Sequence, residues 1–333
     1  MRQALSQHLF KHVVSALALI SSFAAIAEPT AATEKLNWVK NDAPPFYITG
    51  AGGQEGSTDE QGFGDRIQAL IERALNNYQH ETLRVPLSRL SSSWKAYNPL
   101  CFATMIHEAP LSDDYLLSVP NAMYLPHGII TTNEFAESLP ILDDGSVSLE
   151  SIIREQKISM GHISGRTYGE KLDRMLRLYR HNIEINARAG STETQGILTM
   201  LTEGRFDFII DYEFVLNHYV DSAEQTEQLR FLPINETRGN FILGAVGCTN
   251  SEEGQKAIQS INKAMPGIVH SRPYRRAVAA WLVPVGDEAH YWIKFDDILR
   301  DHLGLPIQPS KTARHPFAAS EDANIANGAT LAL

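Results

Sequence analysis

Apolar residues recur along the chain with two different periods, which predict helices and strands in alternation. Between residues 67 and 78 they fall at i, i+3, i+4, i+7, i+8 and i+11, and so form one continuous stripe on a helix. Asp65 stands before this stripe, where a carboxylate suits the helix dipole. Short apolar runs predict strands at 36–39, 83–87, 101–106, 128–132, 157–163, 206–210 and 241–246.

The second half of the chain repeats the strand-then-helix order. Thr192 and Gln195 predict a capping box ahead of one helix. Other helical stripes are predicted at 172–179, 251–265, 274–282 and 289–303. This alternation indicates an α/β fold with mostly parallel sheets, and a length of 333 residues suggests two lobes. Ligands of open α/β sheets bind beyond the carboxyl ends of the strands, so we expect 44–47, 164–167 and Asp211 to line a pocket.

The first 27 residues have the pattern of a secretory signal. Arg2 and Lys11 precede an uncharged apolar run over 13–27 that ends in small residues at Ala25 and Ala27. This run is shorter than the roughly 20 residues that a membrane-spanning helix needs. We therefore predict a signal peptide over 1–27, cleaved after Ala27, and a periplasmic location.

Acidic residues outnumber basic ones, 39 against 29, which gives a formal net charge of −10. This balance, without any run of Lys or Arg, argues against a nucleic acid as partner. The two cysteines, Cys101 and Cys248, are too few for a disulfide-rich miniprotein or a Cys-based zinc module. A cysteine pair in an exported protein is more often bridged than reactive, which predicts a disulfide between two strands of one lobe.

Several enzyme motifs are present only in part. Gly-Phe-Gly at 62–64 lacks the third glycine of a dinucleotide fingerprint, and the serine in 161–165 is displaced from its position in a nucleophile elbow. The 12 histidines include no His-Glu-x-x-His motif. We therefore predict no catalytic residue, no metal and no cofactor.

The turn at 164–169 is a candidate anion site. A glycine-containing turn that leads into a helix exposes backbone N–H groups, and the helix dipole favours negative charge there. Arg166 and Thr167 could add side-chain donors. The alternative is an ordinary capped helix.

A series of motifs, in the expected order, resembles the family-3 extracellular solute-binding proteins. These motifs are Pro-Pro-Phe at 44–46, Gly-Phe-Gly-Asp at 62–65, Ser-Val-Pro at 118–120, Gly-Arg-Thr-Tyr-Gly at 165–169, and Gly204-Arg205-x-Asp207 followed by Asp211. The resemblance covers about 34–305 and is greatest for a divergent subgroup of the amino-acid-type binding proteins.

The resemblance implies the type II periplasmic-binding-protein fold, in which two α/β lobes are joined by a two-strand hinge and close on a ligand. The implied parts are lobe 1 (34–128 and 241–305), lobe 2 (129–240), crossing strands near 125–131 and 238–245, and a disordered tail (306–333). In this fold the strand with Cys101 and the strand before Cys248 are neighbours, which supports the disulfide.

The resemblance also implies which residues meet the ligand. Phe46, with Tyr47 beside it, would pack on the ligand from lobe 1. Arg166 and Thr167 would bind an anionic group from lobe 2, and Asp211 would bind an amino group.

The chain departs from the family pattern at 109–112. Amino-acid-binding members have Thr-x-x-Arg there, and the arginine binds the ligand carboxylate. Here Ser112 stands in place of that arginine. Arg89 is a candidate replacement, and the alternative is a surface arginine. The substitution argues against a standard α-amino acid as the ligand.

The function implied is the capture of a small polar ligand, amino-acid-like or an organic acid. A monomer would present this ligand to an ABC-transporter permease or a membrane sensor. One alternative is a periplasmic enzyme on the same fold, similar to cyclohexadienyl dehydratase, with Glu108, Asp211 and Glu213 as candidate general acids. Another is an interaction module that binds no ligand.

Overall fold

The computed structural model describes most of the chain after residue 33. The described ranges are 34–48, 62–108, 113–155, 157–190, 192–222, 228–284 and 286–305. The predicted signal peptide, the predicted tail and the segment 109–112 with Ser112 lie outside them. Within these ranges, no helix combines the length and the apolar character that crossing a membrane requires.

Strands and helices alternate through the described ranges. The strands are β1 (Glu34–Lys40), β2 (Tyr78–Arg84), β3 (Leu100–Ile106), β4 (Tyr115–Tyr124), β5 (Gly128–Thr132), β6 (Ile158–Ile163), β7 (Ile183–Arg188), β8 (Phe208–Asp211), β9 (Leu229–Pro233) and β10 (Ile242–Thr249). The helices are α1 (Phe63–Ala74), α2 (Leu90–Ala96), α3 (Asn133–Ser138), α4 (Leu149–Glu155), α5 (Glu170–Leu178), α6 (Glu193–Thr202), α7 (Glu213–Ser222), α8 (Glu252–Val269), α9 (Arg272–Leu282) and α10 (Glu288–His302).

Lobe 1 is built on a sheet with the strand order β2-β1-β3-β10-β4. Strand β1 is parallel to β2 and β3, whereas β10 is antiparallel to β3 and β4. Because β1 and β3 are parallel, the segments that follow them leave the same edge of the sheet. Helices α8 and α10 contact β4, and α1 packs on α8 and α9.

Lobe 2 is built on a second sheet with the order β7-β6-β8-β5-β9. Strand β6 is parallel to β7 and β8, and β5 is antiparallel to β8 and β9. The turn after β6 and the residues after β8 therefore lie at one edge. The chain crosses from lobe 1 to lobe 2 between Tyr124 and Gly128, and returns between Pro233 and Ile242.

Two clusters of buried apolar side chains form the core. The larger one fills lobe 1 around Trp38 and Ile67 and continues into lobe 2 through Tyr212 and Phe214. The smaller one packs the lobe-2 sheet against α3, α4 and α5. The continuous larger cluster means that the two lobes meet through apolar contact and not only through polar side chains.

Three local predictions are wrong. The strand predicted at 83–87 overlaps β2 only at its end, because β2 ends at Arg84 and Leu87–Arg89 forms a short 3-10 helix. The apolar stripe predicted a helix as far as residue 78, but α1 ends at Ala74 and Tyr78 begins β2. Asn76 and Asn77, residues that favour turns, separate the two elements. The predicted capping box at α6 is absent, because the Thr192 hydroxyl makes no cap hydrogen bond and instead accepts one from Arg188.

The predicted disulfide between Cys101 and Cys248 is confirmed. The two cysteines lie directly opposite each other on β3 and β10, and both are fully buried. The bridge therefore joins two adjacent antiparallel strands of the lobe-1 sheet that are 147 residues apart in sequence.

Candidate functional site

A cavity of about 520 Å³ lies between the lobes and is lined by residues from both. Lobe 1 contributes the loop after β1, helix α2, strand β3 and the end of β4. Lobe 2 contributes the turn after β6 and the first turns of α5 and α6. These are the strand-end segments at which α/β sheets bind ligands.

Phe46 lines the cavity and is positioned by the N-terminus of α1. The Phe46 carbonyl accepts hydrogen bonds from the backbone N–H groups of Gly64 (2.8 Å) and Asp65 (3.3 Å). A Cβ atom at Gly62 or Gly64 would lie 2.4 or 2.6 Å from that carbonyl oxygen, so the close approach requires glycine at both positions. The Gly-Phe-Gly-Asp motif thus fixes the aromatic wall of the cavity.

The Phe46 ring belongs to an aromatic cluster that crosses between the lobes. Its centroid lies 5.9 Å from that of Tyr124 in lobe 1, and 5.9 and 5.4 Å from those of Tyr212 and Phe214 in lobe 2. Tyr212 and Phe214 stack on each other at 4.9 Å. Aromatic pairs at these distances stabilise beyond their buried area, so the cluster holds the lobes together beside the cavity.

Arg166 lines the cavity and is paired with Asp211 at the end of β8. Arg166 Nη2 donates to Asp211 Oδ1 at 2.6 Å, and the two side chains are only 11% and 1% exposed. Burial raises the pKa of the Asp211 carboxyl, and the Arg166 guanidinium opposes that shift. Asp211 is not among the residues that line the cavity. It lies behind Arg166 and neutralises its charge.

The other residues predicted to bind the ligand lie in different surroundings. Thr167 is exposed and lines the cavity. Tyr47 is fully buried in the lobe-1 core, where its hydroxyl accepts a hydrogen bond from Thr104 at 3.3 Å. Arg89 is exposed at the end of a short 3-10 helix and does not line the cavity.

Glu193 forms a polar bridge between the lobes. From the start of α6 its carboxylate accepts hydrogen bonds from Asn41 Nδ2 (2.9 Å) and from the backbone N–H of Leu87 (2.8 Å), both in lobe 1. Glu193 is 1% exposed, and burial raises the pKa of its carboxyl group. Close by, a Cβ at Gly165 would lie 2.5 Å from the Leu87 carbonyl oxygen. The lobes are therefore in direct backbone contact here.

Glu108 forms a second polar bridge between the lobes, in which the carboxylate belongs to lobe 1 and the donor to lobe 2. Its Oε2 accepts a hydrogen bond of 2.6 Å from the backbone N–H of Glu170, the first residue of α5. The sequence suggested this helix start as an anion site, and in the structure a carboxylate of lobe 1 occupies it. The position of Glu108 depends on the approach of the two lobes, which no local pattern encodes.

His127 lines the cavity from the segment that connects the lobes, and no pattern along the chain indicated it. It is 1% exposed, and its ring stacks on Tyr212 with a centroid distance of 4.0 Å. Neither ring nitrogen has a hydrogen-bond partner in the described structure. Burial and the nearby Arg166 charge lower the pKa of His127 well below its usual value, and an interaction with the Tyr168 backbone, which falls short of hydrogen-bond geometry, opposes this shift. The ring is therefore neutral.

The carboxylates named for an enzyme are not all close to the cavity. Glu108 lines it, Asp211 lies behind Arg166, and Glu213 is exposed on α7 and does not line it. In the described ranges, no group of three or more His, Cys, Asp or Glu side chains is arranged to hold a metal ion.

Replacing Glu193 with alanine is expected to loosen the closed arrangement. The variant loses two hydrogen bonds to a charged acceptor and should lower the free energy of unfolding by about 1–3 kcal/mol. Small-angle X-ray scattering should show a larger radius of gyration, because the hinge opens more readily. Glu184→Ala, an exposed site on the outer strand β7, is the control and should change neither value. Identical scattering from both variants would contradict a role in closure.

Comparisons with known proteins identify the fold. No protein-family model matches the sequence, and no curated protein matches it significantly. Solved structures do match. A substrate-binding protein of an amino acid ABC transporter has a TM-score of 0.55 at 16% identity, over 74% of this chain and 98% of that one.

Two further matches are periplasmic binding proteins. One, from an arginine transport system of Legionella pneumophila, has a TM-score of 0.54 at 14% identity over 75% of this chain and 99% of its own. The other, from Salmonella typhimurium and described for its high arginine specificity, has a TM-score of 0.55 at 12% identity, with coverages of 76% and 100%. At these identities the likeness shows the fold alone. The chain therefore has the two-lobe type II periplasmic-binding-protein fold that its motifs predicted.

Proposed function

We propose that this protein is a periplasmic solute-binding protein that captures a small polar molecule between its lobes. The observation that carries this proposal is the 520 Å³ cavity, which both lobes line and which the aromatic cluster and two carboxylate bridges close. A module that served only for protein interaction would have no need of such a cavity with convergent polar groups. The solved structures of the same fold belong to proteins of amino acid transport.

Delivery to a membrane protein follows from the mode of binding. In a two-lobe protein, hinge closure changes the relative position of the two lobe surfaces, and a transporter permease or sensor can distinguish the closed from the open form. The signal-like first 27 residues and the Cys101–Cys248 bridge both support a protein that works in an oxidising compartment outside the cytoplasm.

The alternative function is an enzyme on the same fold, and one observation favours it. Burial raises the pKa of Asp173 and Glu193, and both carboxylates line the cavity. A general acid needs such a shift. However, each carboxylate already accepts a hydrogen bond from the protein. Asp173 accepts one from the backbone N–H of Tyr168, and Glu193 accepts one from Asn41 of lobe 1. These bonds give both carboxylates a structural role that requires no catalysis. Recovery of a chemically altered ligand after incubation would distinguish the enzyme from the binding protein.

Protein isolated from the periplasm is expected to carry a bound small molecule. Native mass spectrometry should detect the complex, and denaturation should release the ligand for identification. Adding that ligand back at about 100 times its dissociation constant should stabilise the protein by about 2.7 kcal/mol and raise the melting temperature by several degrees. Absence of a bound molecule, together with no thermal shift across amino acids, amines and organic acids, would overturn the proposal.

A further inference from the structure

Both anion-binding features of lobe 2 are already occupied by carboxylates of the protein itself. The Arg166 guanidinium is paired with Asp211 at 2.6 Å. The first N–H of α5 donates to Glu108 at 2.6 Å. A ligand carboxylate would have to displace one of these groups or share its donor, and either change carries an electrostatic penalty.

The remaining charges of the cavity are acidic. Its lining includes the four carboxylates of Glu108, Glu170, Asp173 and Glu193, against the single cation Arg166. Among the described residues, none of these four forms an ion pair with Lys, Arg or His within 4.0 Å. The donors to Glu108, Asp173 and Glu193 are neutral N–H and amide groups. The cavity lining therefore carries more acidic than basic side chains, although Arg177 and Arg166 act electrostatically on Asp173 and Glu193.

The unpartnered group in the cavity wall is also suited to a cation. A neutral imidazole has one nitrogen that accepts a hydrogen bond, and neither nitrogen of His127, which is 1% exposed, has a partner among the described residues. A buried polar group in this state costs free energy unless a ligand supplies a donor. Around it the cavity is lined by aromatic rings, including Phe46, Trp94, Tyr124 and Tyr212. Such rings attract cations through their negative faces.

We propose that the ligand is an organic cation, an amine without a carboxylate, whose ammonium group is held by the acidic cavity and donates to His127. This inference rests on the proposed solute-binding function and narrows it. It sets aside organic acids and ordinary α-amino acids.

Matched pairs of probes that differ by one carboxylate test the charge preference. Calorimetry on the full-length mature protein, freed of bound ligand by unfolding and refolding, would compare phenethylamine with L-phenylalanine and cadaverine with L-lysine, with 3-phenylpropanoate as the anionic probe. We expect each amine that binds to have an affinity at least tenfold higher than that of the amino acid paired with it. We expect no binding of 3-phenylpropanoate. Tighter binding of the amino acids or of the anion, or no binding of any amine, would overturn the inference.

A variant of the unpartnered histidine tests the contact itself. His127→Phe keeps the ring stacked on Tyr212 and removes both nitrogens, so the melting temperature of the unliganded protein should not fall. Affinity for the amine that binds wild type should fall at least tenfold, and Glu170→Gln, which removes an exposed carboxylate of the cavity, should weaken it about threefold. Glu184→Gln on the outer strand β7 is the matched control. Unchanged affinity of His127→Phe would contradict the assignment.

The failure of this inference can be told apart from failure of the proposed function. A co-purified zwitterion or anion that binds in the cavity would leave the solute-binding function standing and overturn the cation assignment. A protein that carries no ligand and binds none of the probes would overturn both.

Discussion

Replacing Asp211 with asparagine is expected to lower the free energy of unfolding by about 3–5 kcal/mol, because the change leaves the Arg166 charge buried without its partner. The two side chains are 1% and 11% exposed, so water replaces the lost carboxylate only in part. Asparagine preserves the shape of the side chain, which limits the effect to the charge. Urea denaturation of both proteins at one pH would measure the difference.

An exposed ion pair provides the control for this experiment. Glu203 and Arg205 lie 2.8 Å apart with side chains 49% and 60% exposed, and Glu203→Gln should cost less than about 1 kcal/mol. A double variant, Asp211→Asn with Arg166→Met, should recover part of the stability lost by the single change. Equal and small losses for Asp211→Asn and Glu203→Gln would show that Arg166 does not depend on Asp211 for its counter-charge.

The same substitution has a consequence for ligand binding. In Asp211→Asn the Arg166 guanidinium has lost its internal partner and lines the cavity as an unpaired cation. The variant should therefore gain affinity for an anion such as 3-phenylpropanoate. The ion pair thus affects both the stability of the fold and the selectivity for ligands. The Asp211 carboxylate neutralises the buried Arg166 charge, and by doing so it also prevents Arg166 from binding an anionic ligand.

The sequence predicted most of the central strands and long helices because their apolar patterns are strong. The strand at 128–132 was predicted with its observed bounds, and the last three helices with bounds within a few residues. Three edge strands were missed: β4, β7 and β9. In Ile183–Arg188 only Ile183 is buried, and the polar residues Glu184, Asn186 and Arg188 interrupt the apolar ones, which weakens the apolar signal of this edge strand.

At the site, the sequence could name residues but not their partners. Phe46, Arg166 and Thr167 line the cavity, since they follow strand ends. The pairing of Arg166 with Asp211 depends on two strands brought together by the lobe-2 sheet. Phe46 and Tyr47 are adjacent in sequence, but the turn directs the first toward the cavity and the second into the core.

The groups that the sequence could not indicate are those that depend on the approach of the two lobes. Glu108 and Glu193 each bind backbone or amide groups of the opposite lobe, more than 60 residues away in sequence. His127 is defined by the absence of a partner, which is a property of the packed structure. Patterns along the chain report the faces of single elements, and the cavity arises where several elements meet.

Removal of the Cys101–Cys248 bridge is expected to lower the free energy of unfolding by about 3–5 kcal/mol, since the disulfide closes a long loop in the unfolded chain. The two cysteines are 147 residues apart, so the bridge restricts nearly half of the sequence. The variant Cys101→Ala with Cys248→Ala and the wild type under reducing conditions should both show the loss. The reduced wild type retains both sulfur atoms, and so it separates the effect of the cross-link from that of packing.

The double variant is also the control for the reductant, which should not change its stability further. Titration of thiols in the unfolded, unreduced wild type should find none, and two free thiols would contradict the bridge.

The size of the loss in stability bears on the compartment in which the protein works. A domain with a total stability of about 5–15 kcal/mol loses a large part of it when this disulfide is reduced. The chain should therefore reach its full stability in an oxidising compartment, as export ahead of folding would provide.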